Sequence, residues 1–147
     1  MFRFELEAVL NYRLQIEEQC QLSLADSLKR LQTAIDILND LQRERKNLIR
    51  HLAKMQENSL SPDAIERHFM FIEYLKCKEE KQEAVVSGLK DEVSVKRQDL
   101  LEAVKRKKTM EALRDKKMAA YISEAAAKDR KELDEFAIIK FGTGMKK

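Results

Sequence analysis

Leu24, Leu28, Leu31, Ile35 and Leu38 recur at alternating spacings of four and three. That spacing lines up one face of an α-helix as a heptad seam. Beyond Leu38 the seam meets Gln42 and Arg45 and resumes at Ile49 and Leu52, while a neighbouring stripe of Leu41, Leu48 and Met55 takes over. Further on, Ile65, Ile72, Val86, Val93 and Leu100 keep a seven-residue period that Glu79 interrupts. Leu75, Leu89, Ala103 and Met110 keep the companion period, interrupted by His68, Gln82 and Lys96. The pattern predicts two long helices with a thin seam and polar breaks. Polar seam positions set register at some cost in stability.

One stretch breaks the helical pattern, "QENSLSPDAIERHF". Ser61 is a good N-cap, Pro62 suits the first helical position, and Asp63 suits the positive end of the helix dipole. The residue before proline resists helix, so Ser61 marks a boundary. A first helix is expected from about residue 5 to 56, a turn at 57–61, and a second helix from 62 to about 139. A flexible tail at 140–147 would follow, all within one coiled-coil domain. At 1.5 Å per residue the helices would be roughly 75 Å and 115 Å long, too long for a compact ball. The fold class is therefore all-α, an antiparallel two-helix coiled-coil hairpin with a longer, projecting second helix.

A short turn forces antiparallel packing, so residue i faces roughly residue 118 − i. Cys20 then faces the neighbourhood of Gln98 and Cys77 that of Leu41, so the two thiols cannot bridge within one hairpin. The first helix runs out near residue 115, and about two dozen helical residues of the second should extend past it.

Composition agrees. Charged residues make up 37% and aromatics 6%, with three glycines, one proline and no tryptophan. Helix formers dominate, as in long helices rather than globules. The formal charge of +3 is too modest to mark a nucleic-acid binder by itself. No apolar run approaches the ~18 residues needed to span a bilayer. The opening "MFRFELEAVL" carries Glu5 and Glu7 and lacks a small-residue cleavage site, so it is not read as a signal peptide. A cytoplasmic protein that does not insert into a membrane is expected.

The sequence shows no Gly-rich phosphate loop, Cys-x-x-Cys or Ser-centred elbow. A non-enzyme without catalytic residues or cofactors is expected. His51 and His68 should approach each other across the hairpin, but a structural zinc site usually needs four ligands. No metal is expected there. Residues 105–117 hold seven Lys or Arg against Glu111 and Asp115. No aromatic interleaves this run and no groove-reading fold accompanies it, so a solvated face or a protein contact ranks above nucleic acid. Residues 68–80, "HFMFIEYLKCKEE", carry Phe69, Phe71 and Tyr74, too many for one narrow seam. They either widen the core or leave an apolar strip for a partner.

The last concentration of large apolar residues is "KELDEFAIIKFGTG". Leu133 and Phe136 lie past the expected end of the first helix. They either dock back onto Phe2 and Phe4 or stay open for a partner. Residues 124–135 hold five acids against three bases.

Three segments in order resemble the FliJ family of flagellar export proteins. "FRFELEAVLNYRLQIEEQC" is similar to the family's N-terminus, through Phe2, Phe4, Leu6, Val9, Leu10, Arg13 and Glu17. "FIEYLK" resembles its segment after the turn, with Phe71, Ile72 and Leu75 matching. "KELDEFA" resembles its C-terminal signature, with Asp134, Glu135, Phe136 and Ala137 matching. The resemblance implies a non-enzymatic stalk and adaptor of the flagellar type III export apparatus, peripheral to the inner membrane. It implies insertion into the ring of the export ATPase FliI, with Arg13, Glu17, Leu133, Asp134, Glu135 and Phe136 as contacts. It also implies engagement of export chaperones and of the gate protein FlhA, the latter through Leu38, Leu41, Phe71 and Leu75. Family members often carry tyrosines on the first-helix side of the gate surface, where this chain has Gln42 and Arg45. From the residues alone, a generic coiled-coil tether and a basic nucleic-acid-binding arm remain the rival readings.

Overall fold

The structure is a computed structural model that describes residues 1–58 and 61–145. Two helices account for nearly all of these residues: α1, Glu7–Glu57, and α2, Pro62–Met145. They pack antiparallel as a helical hairpin, and the described residues contain no strand. Ser59 and Leu60, part of the expected turn, lie outside the described residues. Ser61 caps α2 as its sequence suggests: its hydroxyl accepts the Ala64 amide at 3.3 Å, and its carbonyl accepts the Ile65 amide at 3.2 Å. Asp63 sits in the first turn, where the dipole favours an acid.

Helix α2 does not stop near Ile139, where the tail is expected to begin. It continues to Met145. A glycine lowers helix propensity by about 1 kcal/mol but keeps its amide in the ladder, so without a proline or a cap it need not end a helix.

The contacts divide the chain into two compact units where one domain is expected. The first comprises Met1–Glu17 with Glu102–Lys147, and the second comprises Glu18–Leu101. In the second unit the α2 seam runs as the periodicity predicts. Ile72, Leu75, Val86 and Val93 are buried, and Leu89 and Leu100 half-buried. The α1 seam differs from the leucine pattern by one position. Ser27 and Ala34 are buried, at 0% and 5% exposure, while Leu28 is exposed at 38%. The α1 face towards α2 is thus Leu24, Ser27, Leu31, Ala34, Leu38, Leu41, Arg45, Leu48, Leu52 and Met55, still at alternating threes and fours. Small residues at two of these places leave room for polar groups from α2. Glu92 accepts a bond from Ser27 at 3.4 Å and pairs with Arg30, and Gln82 donates to the Ala34 carbonyl at 2.9 Å.

Two of the polar breaks are paired to each other. Arg45 and Glu79 meet at 2.7 Å, with side chains only 24% and 9% exposed. Among the described residues no buried side-chain nitrogen or oxygen lacks a partner. Such pairs add little net stability, since desolvation offsets attraction, but they penalise any register that separates them. Cys20 and Cys77 are free thiols, half-buried and exposed respectively.

In the first unit, Leu10 is buried at 2% exposure and Ala103 at 5%. Lys107 and Glu17 pair at 2.7 Å, with side chains 19% and 12% exposed. The hydrogen bond that Lys107 donates to Glu17 holds its ammonium above the ordinary lysine pKa. Ser27–Glu92, Ala34–Gln82 and His51–His68 follow the 118 − i register within two residues, whereas the long side chains of Arg45–Glu79 and Glu17–Lys107 meet six residues away from it.

Candidate interaction surfaces

Two apolar surfaces stand out, one in each unit, and each follows from how the seam is filled.

In the second unit, α2 turns Ile72 and Leu75 into the seam, which leaves Phe69, Met70, Phe71 and Tyr74 outward at 52%, 67%, 42% and 51% exposure. The residues lie on different arcs because successive helical positions turn by roughly 100°. Phe71 and Tyr74 rings lie 5.9 Å apart, and the Lys78 ammonium stands 4.9 Å from the Tyr74 ring. Its hydrogen bond with Tyr74 is the main cause that raises the Lys78 pKa. A shallow groove at Phe69, round the helix from Phe71 and Tyr74, is lined by Ile49, Leu52, Phe69 and Ile72. The aromatic cluster is thus a surface strip with a cationic edge, not a widened core.

The sequence-based gate residues divide accordingly. Phe71 is exposed, and Leu38 and Leu41 are half-buried on the α1 seam. Leu75, at 2% exposure, is a core residue of the paired helices and lies beneath the surface rather than on it. The gate set read from the sequence leaves out Met70 and Tyr74, the exposed neighbours of Phe71, although Tyr74 already stands in the aromatic segment that the sequence singles out. Excluding the period-seven series is the signal that finds them on the solvent side.

In the first unit, the segment before α1 lies along α2. Phe4 is buried at 8% exposure, with Lys117 6.0 Å from its ring, and the Phe2 and Tyr121 rings are 5.6 Å apart. From residue 115 to 142 every α2 residue is exposed, in agreement with a first helix that runs out near 115. Leu133, Phe136, Ile138, Ile139 and Phe141 are 63–73% exposed. Phe2 and Phe4 therefore do not cover Leu133 and Phe136; their ring partners are Tyr121 and Lys117. The large apolar residues at 133–141 fall on nearly all sides of the helix, a distribution suited to a segment that a partner surrounds. Asp134 and Glu135 are exposed among them.

Arg13 and Glu17 do not join that surface. Arg13 is half-buried on the seam with its guanidinium 5.9 Å from the Tyr12 ring, and Glu17 is held by Lys107. The proposed ATPase set thus comprises two seam residues and four exposed ones. The basic run at 105–117 is partly committed internally: Lys107 to Glu17, Arg106 to Glu102 at 3.4 Å, and Lys117 near Phe4.

His51 and His68 do approach, with ring centroids 6.5 Å apart. Among the described residues no group of three or more His, Cys, Asp or Glu is placed to hold a metal ion. No described helix is long and apolar enough to cross a membrane.

The family model of the flagellar FliJ protein matches residues 2–146. The chain belongs to the FliJ family. Membership associates it with flagellar and type III protein export. Among solved structures the chain is similar to CT670 from Chlamydia trachomatis, described as a putative YscO homolog. The two share 19% identity at a TM-score of 0.66, covering 100% of this chain and 99% of that one. At that identity the likeness concerns the fold, a helical hairpin. No curated protein matches the chain.

Proposed function

We propose that this FliJ-family chain is a non-enzymatic stalk and adaptor of the flagellar export apparatus, acting in the cytoplasm at the inner-membrane export gate. Its α2 segment beyond residue 115 enters the ring of a FliI-like export ATPase. One observation carries this reading: large apolar residues crowd almost every side of the helix at 133–141 and are 63–73% exposed in the free chain. A ring surrounds what it holds, so it can bury all sides at once. Leu133, Asp134, Glu135 and Phe136 are the direct contacts. Arg13 and Glu17 support them by fixing the α1–α2 register. Binding that favours the assembled ring over free subunits is sufficient to promote assembly, with no active site on the stalk.

The strip at Phe71, with Leu38 and Leu41 farther along the hairpin, is the contact for an FlhA-like gate protein, and Leu75 holds α2 in place beneath the strip. Export chaperones are further partners. Nucleic acid is not.

The test is to mix the chain with the export ATPase and measure hexamer formation and ATP turnover, then repeat after truncation at Asp129. The expected result is stimulation by the full chain, loss of stimulation on truncation, and unchanged hairpin melting. No effect of the full chain on either readout refutes the proposal.

A further inference from the structure

Towards α1, α2 presents Leu100, Ala103, Lys107, Met110 and Arg114, all buried or half-buried. Continued at the same period, that series meets Lys117 and Tyr121 and then Glu124, Lys128, Lys131 and Glu135, which cannot form an apolar seam. The apolar positions move instead. Ala119, Ile122, Ala126, Leu133 and Phe136 recur at threes and fours, with Asp129 as the one polar member. This series is offset by two residues from the old one, which turns it roughly 160° round the helix, onto the face away from α1. All six residues are exposed, Ile122 at 57%, Leu133 at 67% and Phe136 at 63%. Phe2 lies against Tyr121 and Phe4 near Lys117, on other arcs of the helix.

We propose that this stripe pairs with the same stripe of a second copy of the chain, in antiparallel orientation. The stripe is self-complementary in size when reversed. Ala119 faces Phe136 of the second copy, and Ile122 faces its Leu133, so a small residue meets the largest one and two medium residues meet each other. Charge selects the orientation. A parallel pair sets Asp129 directly against Asp129, a like-charge contact on the seam. The antiparallel pair sets it opposite Ala126, with Arg130 of the second copy one helical turn away. Length sets the strength. Residues 119–136 span about 27 Å, which gives an interface near or below the low end of stable complexes. The association is therefore reversible and concentration-dependent, and any partner that surrounds 133–141 competes with it. The pairing itself does not depend on the ring reading.

The test uses the full chain carrying Cys20→Ser and Cys77→Ser, in sedimentation velocity over a wide concentration range. A monomer–dimer equilibrium is expected. Phe136→Glu, on the stripe, weakens it by on the order of tenfold or more. Ile138→Glu, off the stripe, leaves it unchanged, and circular dichroism confirms equal helicity in both. Orientation is read by oxidation. Ile122→Cys with Leu133→Cys in one chain yields a covalent dimer, whereas Ile122→Cys alone does not. The two positions are roughly 16 Å apart on one helix, beyond the ~7 Å reach of a disulfide, so any bridge joins two chains. The proposal is overturned by a monomer at every concentration, by a dimer indifferent to Phe136→Glu, or by efficient bridging in the variant that carries Ile122→Cys without Leu133→Cys. No export ATPase is present, so the outcome is separate from that of the ring experiment.

Discussion

Residues 62–100 of α2 and residues 115–142 belong to one continuous helix, yet they relate to the rest of the chain in opposite ways. The first stretch has a partner. Its period-seven positions are buried or half-buried, and its polar breaks at Glu79 and Gln82 are matched by Arg45 and the Ala34 carbonyl. The second stretch is exposed throughout, although it carries five large apolar residues in its last ten positions. The difference is that apolar content does not decide burial; the presence of a facing helix does. An apolar residue on the paired stretch stabilises the fold, while one on the exposed stretch is available to another molecule.

The largest expected effect separates the two directly. Leu75→Ala should destabilise the chain by about 2–5 kcal/mol, since it removes a fully buried side chain from a seam that cannot fully collapse. Phe136→Ala should change stability by less than about 0.5 kcal/mol. Thermal or urea melting compares them, and equal losses would erase the distinction.

The polar breaks come next. Arg45→Leu alone leaves Glu79 buried without its partner and should cost about 3 kcal/mol, while Arg45→Leu with Glu79→Leu should be neutral or stabilising. A double-mutant cycle in urea checks this, and the double variant tests whether the pair serves register rather than stability: alternative pairings should then appear as broadened NMR signals.

Gly88 is a smaller, positive case. An added Cβ there meets nothing within 4 Å, so Gly88→Ala should stabilise by about 0.5–1 kcal/mol in the same assay. Phe71→Ala, on the exposed strip, should leave melting within about 0.5 kcal/mol of the parent while weakening capture of the gate protein. Last is pH. The Lys107 pKa is raised by its bond to Glu17, so that contribution is whole below the ordinary lysine value of 10.5 and fades as pH climbs through the raised one. Alkaline melting of the parent and of Lys107→Met should converge above that range and differ, slightly, below it.

Much of the fold is legible in the sequence because period seven is a strong signal. The α2 seam matches its predicted positions, including the breaks at Glu79 and Gln82. The Ser61–Pro62 start is equally local chemistry, and the cap bond is where it should be. The leucine pattern places the α1 seam one position off because leucine outweighs serine and alanine. Stepping back by sevens from Met55, Leu48 and Leu41 reaches Ala34 and Ser27, so the information is present but not in hydrophobicity. Resemblance assigns Glu17 and Leu75 to partner surfaces, whereas a seam position leaves a side chain little freedom to face outward. What sequence cannot supply is the arc each exposed residue occupies once the seam is fixed. Residues 133–141 look like a compact patch in one dimension and wrap the helix in three.

The central claim is that the exposed run of α2 is a surface for another molecule. Amide hydrogen exchange over residues 119–141 tests it most directly, first on the chain diluted below self-association and then with assembled export ATPase added. Fast exchange alone, slowed at least tenfold by the ATPase while exchange at 72–93 stays unchanged, is the predicted result. Exchange over 119–141 that the ATPase leaves untouched would contradict the account.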